Sequence, residues 1–185
     1  MLSAPPTKMV TRRDQTTTWL PSASQKPSAA KHMHALFSEI DAAVSDTRCV
    51  SLDVFKMDTI GDSYVAAAWL AESEMPGASK INSDVCECLL SLADVMVGIL
   101  QRHNESHGTN FQCRIGIDGG RVSAGIQGLL QPRFHLLGPA VQGAERLQSQ
   151  AQVNTVNVSI AVQRMLHADA ADVECVISDG LLLPV

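Results

Sequence analysis

The sequence predicts an α+β fold: a mixed, mainly antiparallel sheet flanked by helices. Three observations carry this. Residues 28–44 and 79–103 place apolar side chains at intervals of three and four, the spacing of helices with one buried face. Residues 49–57 and 111–117 alternate and are rich in branched or aromatic residues, as strands do, and 63–70 is a further short apolar stretch. Gly61 and the run Asp118-Gly119-Gly120 punctuate them as hairpin turns. The chain has 185 residues and is 45% apolar and 18% charged, enough for one domain with a real core.

In chain order, residues 1–28 stand apart. They hold nine Ser or Thr, four Pro and a single acid, Asp14, and predict a disordered, basic lead-in to a domain at 29–185. Met33, Leu36, Phe37, Ile40 and Val44 then form a helix stripe. The strand 49–57 and the stretch 63–70 make a hairpin with Asp62 at or just past its tip. Pro76-Gly77 marks a loop. Val85, Leu89, Leu92, Met96 and Ile99 face the core from a long helix. Residues 111–117 pair with 121–127 across the Gly119-Gly120 turn. Residues 133–137 are a short apolar stretch. Pro139 suits a helix start, and 140–150 points Val141, Ala144 and Leu147 inward. Residues 153–158 are a strand, Ser159 caps a helix to about Leu166, and 172–177 are a last strand.

Composition excludes several functions. Fourteen basic against nineteen acidic residues give a net charge of −5, a poor match for nucleic-acid phosphate. No apolar run approaches the ~20 residues of a membrane span. Five irregularly spaced cysteines argue for a reducing compartment, with Cys86 and Cys88 as buried small hydrophobes. His32 and His34 have no ligand partners nearby in sequence and read as surface histidines. The chain lacks a P-loop, and Gly116, Gly119 and Gly120 do not make a dinucleotide fingerprint.

Three segments in order resemble one family. Lys56-Met-Asp-Thr-Ile-Gly-Asp-Ser-Tyr64 is similar to the K-[IV]-[KE]-T-I-G-D-x-Y segment of class III adenylate and guanylate cyclases. Arg114-Ile-Gly-Ile-Asp-Gly-Gly-Arg-Val-Ser-Ala-Gly-Ile-Gln-Gly128 resembles their R-I-G-I-x-x-G-x-V-x-A-G-V-x-G segment. Gly138 to Ser149 resembles their G-D-T-V-N-x-A-S-R-M-E-S helix. The resemblance implies a ferredoxin-like nucleotide cyclase fold and a cytoplasmic location, alone or as the cytosolic part of a larger membrane protein. It also implies conversion of a nucleoside triphosphate to a 3′,5′-cyclic nucleotide and pyrophosphate across a dimer interface, with two divalent ions, Mg²⁺ or Mn²⁺. The dimer partner is a second copy or another cyclase domain.

By position, the resemblance assigns Asp62 to the second metal carboxylate and Arg146 to the cation that neutralises the transferring phosphate. Gln142 stands where the family has a ribose-orienting Asn. Asp58 and His135 occupy the two base-reading positions. An acceptor carboxylate at Asp58 suits guanine's N–H donors, which favours GTP over ATP. The family's first metal carboxylate lies in an early F-x-D-I-x-x-F-T strand. Asp14 is the remaining candidate for it, two residues too close to Thr17-Thr-Trp19, and the preceding residues 10–13 do not read as an apolar strand. The phosphate-contacting Lys of the family's C-terminal segment has no counterpart, so the domain reads as incomplete at both ends. Two further readings are a catalytically silent partner domain and a fragment of a receptor-type cyclase.

Overall fold

A computed structural model describes residues 6–12, 26–167 and 181–184. Thirteen elements follow one another: β1 (Pro6–Arg12), α1 (Lys26–Val44), α2 (Thr47–Ser51), β2 (Phe55–Ile60), β3 (Ser63–Trp69), α3 (Ala78–His107), β4 (Arg114–Gly119), β5 (Ser123–Gln127), β6 (Arg133–Leu137), α4 (Pro139–Gln150), β7 (Thr155–Val158), α5 (Ile160–Leu166) and β8 (Leu181–Pro184). Six strands form one sheet in the order β2-β3-β1-β4-β7-β8, and β5-β6 form a separate ribbon. Every pairing in the main sheet is antiparallel except β4 with β7. The mixed, mainly antiparallel class expected from sequence is what the chain adopts.

The strand alternation sorts two faces. Tyr64, Ala66, Ala68, Ile115, Ile117, Val156 and Val158 point to one side. There they join Leu36, Ile40 and Val44 of α1, the predicted stripe of α3, and Val162 of α5. The opposite face carries a smaller cluster of Ala67, Leu136 and Val141, with Phe55, Met57, Trp69 and Val122 packed against it. On this face α4 packs over β4, β1 and β7. Gly116, between Ile115 and Ile117, is what permits the approach. A Cβ there would run into the Ala144 carbonyl and the Gln148 backbone.

Four local expectations need correction. Residues 6–12, read as lead-in, form a strand in the middle of the sheet, paired with β3 from Pro6↔Trp69 and with β4 to Arg12↔Arg114. Thr7-Lys-Met-Val-Thr-Arg12 offers two apolar residues among polar ones, so no periodic signal announces it, while ladder bonds on both edges hold it. Second, residues 121–127 do not pair with β4. Both edges of β4 are taken, by β1 and β7, so β5 leaves the sheet and pairs with β6 instead. Third, Cys49 lies in a helix. Asp46 caps α2 by accepting from the Arg48 N–H at 3.1 Å, and β2 starts only at Phe55. Fourth, Leu181–Pro184, beyond the strand expected to be the last, is itself an edge strand beside β7. The expected strand 172–177 lies outside the described residues. Pro139 at the start of α4 and Ser159 capping α5 match the sequence reading.

Candidate active site

The site begins at the β2–β3 turn. Ile60 pairs with Ser63, leaving Gly61-Asp62 as a two-residue connection. Gly61 sits at φ +63, which a side chain would oppose. Asp62 is therefore at the hairpin tip, as expected. Asp62 is half-buried, and its carboxylate makes no hydrogen bond or ion pair among the described residues. It borders a recess on the α1/α3 side of the sheet, lined by Leu36, Phe37, Leu100 and Phe111.

A three-residue brace holds this hairpin against α1. The fully buried Tyr64 donates its hydroxyl to Asp41 Oδ1 at 2.7 Å. Lys56 Nζ meets Asp41 Oδ2 at 2.9 Å and lies 5.1 Å above the Tyr64 ring. Burial pushes the Asp41 carboxyl up, but the Lys56 and Tyr64 hydrogen bonds outweigh it and leave it below the ordinary aspartate value. Burial, then the Asp41 hydrogen bond, raise the Tyr64 phenol well above its usual range. Lys56 and Tyr64 belong to the motif quoted above, yet the sequence reading gave them no role. Asp41 carries no motif signal, because its partners lie 15 and 23 residues away.

The other predicted residues that are described lie on β2, β6 and α4. Asp58 is half-buried in β2, just after a bulge that steps the register from Lys56↔Ala66 to Asp58↔Val65. The extra residue, Met57, breaks the alternation, so Asp58 does not simply share the face of Lys56. Asp58 Oδ1 accepts from the following Thr59 N–H at 2.7 Å. His135 is half-buried in β6, opposite Gly125. Gln142 and Arg146 are exposed on α4, one helical turn apart, and neither side chain has a partner among the described residues. Val141, Ala144 and Gln148 bury the other side of that helix. Leu136 and Val141, the chain neighbours of His135 and Gln142, meet in the smaller cluster beside Phe55 and Met57. Asp58, His135 and Gln142 are thus each the chain neighbour of a residue in this cluster: Met57, Leu136 and Val141. Asp62 opens on the other side of the sheet from α4. Asp14 lies outside the described residues.

The site is oxygen-rich at the tip and amide- and guanidinium-bearing on α4. An unpaired, half-buried carboxylate suits a hard divalent cation. An exposed Arg with a Gln one turn away suits phosphate and hydroxyl groups. Beyond the hairpin, the β5–β6 ribbon presents apolar side chains to solvent: Ile126 is 74% exposed, Leu129 and Leu130 are 99% exposed. Among the described residues no helix is long and apolar enough to cross a membrane.

Residues 16–180 match the family model of the adenylate and guanylate cyclase catalytic domain. The chain is 33% identical over 121 residues to the guanylate cyclase soluble subunit alpha-1 of Canis lupus familiaris, an overlap of 65% of this chain and 16% of that protein. It is 36% identical over 117 residues to the receptor-type guanylate cyclase gcy-7 of Caenorhabditis elegans, covering 62% of this chain and 10% of that one. This chain thus spans a small fraction of the length of those relatives. Its fold is similar to the guanylate cyclase domain of RhGC from Catenaria anguillulae, solved in complex with GTP. The TM-score is 0.68 at 21% identity, covering 88% of this chain and 82% of the other.

Proposed function

Because the chain belongs to the adenylate and guanylate cyclase catalytic domain family, we propose that it forms one half of a dimeric nucleotide cyclase acting on GTP in preference to ATP. The ribose 3′-hydroxyl oxygen attacks the α-phosphorus and gives up its proton to water, the bond from that phosphorus to the β-phosphate oxygen breaks, and pyrophosphate leaves. Asp62, with Asp14 supplying the other carboxylate, would hold Mg²⁺ or Mn²⁺. The register supports Asp14: β1 pairs Thr11 with Tyr64, so its described end lies beside the tip, two residues before Asp14. Bound divalent ions supply the charge that makes the 3′-hydroxyl a nucleophile and grips the phosphates. Arg146 neutralises charge growing on the α-phosphate, and Gln142 orients the ribose. Asp58 accepts from guanine N–H groups beside His135. The cytoplasm, where GTP and Mg²⁺ are at hand, is the compartment this reading requires.

One observation carries the dimer. Asp62 opens on the α1/α3 face, whereas Gln142 and Arg146 ride on α4 over the opposite face. Residues on opposite faces of one copy would meet one phosphate chain across two facing copies, which supports a dimer. The exposed Leu129 and Leu130 on the ribbon give such a partner apolar surface to cover.

The test is complementation. GTP and ATP turnover with Mn²⁺ is measured for the chain alone, mixed with a complete homologous domain, and for Asp62→Asn and Arg146→Ala variants separately and mixed. Each variant alone should lose on the order of 100-fold or more, the scale of one electrostatic catalytic group. The mixed variants should recover a quarter to a half of the activity, because some mixed dimers hold one intact site. Activity only with the homologous domain identifies a subunit that needs a different partner. Nucleotide binding with no product in any mixture overturns the enzyme reading and leaves a silent partner domain.

A further inference from the structure

Away from the hairpin, three histidines from two helices converge. His103 and His107 lie four residues apart on α3, which puts them one turn apart on the same side of the helix. Their rings stack with centroids 4.3 Å apart. His32 of α1 meets both edge-on, at 5.0 Å and 5.3 Å. His32 Nδ1 lies 2.9 Å from His103 Nε2. One ring nitrogen from each of the three lies within 4.8 Å of the other two. The expectation that His32 is a surface histidine without partners is thus corrected, while His34 is exposed. The signal in the sequence was His103-Asn-Glu-Ser-His107, the i, i+4 pair that presents two imidazoles to one ion; the third ligand came from 71 residues away.

We propose that His32, His103 and His107 form a Zn²⁺ site that clasps α1 to α3. Three details support it. First, the distances are near those required. Tetrahedral zinc with Zn–N of about 2.0–2.1 Å sets its nitrogens roughly 3.3 Å apart. The His32–His103 pair is already closer than this, and no other separation need shrink by more than about 1.5 Å, a shift that turning the exposed His107 ring can supply. Second, the tautomer of His107 is set. Its Nδ1 contacts the His103 carbonyl at 3.0 Å. A carbonyl only accepts, so Nδ1 carries the proton and Nε2 keeps its lone pair for a metal. Backbone carbonyls orient metal-bound histidines in this manner. Third, the surroundings are mixed as such sites are: His103 is buried, Phe111 walls it at 5.9 Å, and His107 opens to solvent. No fourth protein ligand joins the cluster among the described residues, so water completes the shell.

Ligand chemistry separates this site from the one at Asp62. Three imidazoles select Zn²⁺ and its late transition-metal neighbours over Mg²⁺ or Mn²⁺, which favour oxygen. The proposal does not depend on the cyclase reading, since none of its ligands belongs to the assigned residues. Zn²⁺ would fix the N-terminal half of α1, the helix whose Asp41 braces the hairpin.

The experiment uses the full chain without a histidine tag. Zn²⁺ titration by calorimetry, the visible spectrum of the Co²⁺ form, and thermal unfolding with and without Zn²⁺ are compared for wild type, His107→Ala, His32→Ala and His34→Ala. Wild type and His34→Ala should bind one Zn²⁺ alike and unfold at higher temperature with it. His107→Ala and His32→Ala should fold without metal, bind on the order of 100-fold more weakly or worse, and gain no thermal shift; losing even an outer partner of a ligand costs about 10–100-fold. The Co²⁺ form should show tetrahedral bands without thiolate charge transfer. No Zn²⁺ binding, binding untouched by both substitutions, or a thiolate-bound Co²⁺ spectrum overturns the proposal.

Discussion

Tyr64→Phe tests the brace that holds the candidate metal carboxylate in place. Tyr64 is fully buried and its hydroxyl donates to Asp41 Oδ1 at 2.7 Å. Phe keeps the ring volume and its packing against Phe37, 5.7 Å away, so the change removes the hydrogen bond to Asp41 without a cavity. A bond to a charged acceptor is worth roughly 1.5–3 kcal/mol. Asp41 keeps Lys56 and water, since its side chain is 43% exposed, which places the loss near the lower end, at about 1.5 kcal/mol. For a domain of this size that is roughly 3–6 °C in Tm. Lys56→Met removes the other partner, but that pair is exposed on both sides and should cost under about 1 kcal/mol. Acid titration adds a second reading. The Asp41 carboxyl is held below its ordinary value in the fold, so the unfolded chain takes up its proton first. Its contribution is present above about pH 4 and fades as the pH falls through the lowered folded value; Tyr64→Phe should shrink that acid-side loss. Urea unfolding of the three proteins from pH 3 to 7 decides the matter. The reasoning fails if Tyr64→Phe costs less than Lys56→Met, or if the pH dependence of its stability is unchanged.

Further outcomes follow from other parts of the fold. Gly116→Ala should destabilise by at least about 1–3 kcal/mol and lower nucleotide turnover, because the new methyl meets the α4 backbone that carries Gln142 and Arg146; paired unfolding and turnover measurements check both. Burial pushes the thiols of Cys49, Cys86 and Cys113 up to about 12, with the Cys88 hydrogen bond adding to it at Cys49. At pH 8 only about one in ten thousand is thiolate, against roughly a quarter for a free cysteine, so mass spectrometry after brief iodoacetamide treatment should find these three unlabelled until urea is added. On the proposed assignment, Asp58→Lys should weaken GTP use at least 10-fold relative to ATP, read as the ratio of the two kcat/KM values, because it would replace an acceptor with a donor beside the base.

The residues' own spacing was enough for the local pieces. The core stripe of α3 appeared as intervals of three and four because a helix repeats every 3.6 residues, and those side chains are buried as expected. Gly61 announced the turn because a left-handed position excludes most other residues, and Ser159 announced its helix because a free N–H needs an acceptor. Local sequence therefore places Asp62 at a hairpin tip and Gln142 and Arg146 on one helix.

What stayed hidden depends on partners distant in the chain. A strand such as β1, with few apolar residues, is made by ladder bonds to β3 and β4, and local composition carries no trace of them. That missing strand also produced the wrong partner for β5, since only the complete sheet shows that β4 has no edge left. Asp41 meeting Tyr64, and His32 meeting His103, are likewise contacts across 23 and 71 residues. Local sequence sets which residues are helical, extended or turning, because those preferences are settled within a few bonds. Which faces meet, and hence that Asp62 and Arg146 lie on opposite sides of one copy, is decided by the packing of the whole sheet.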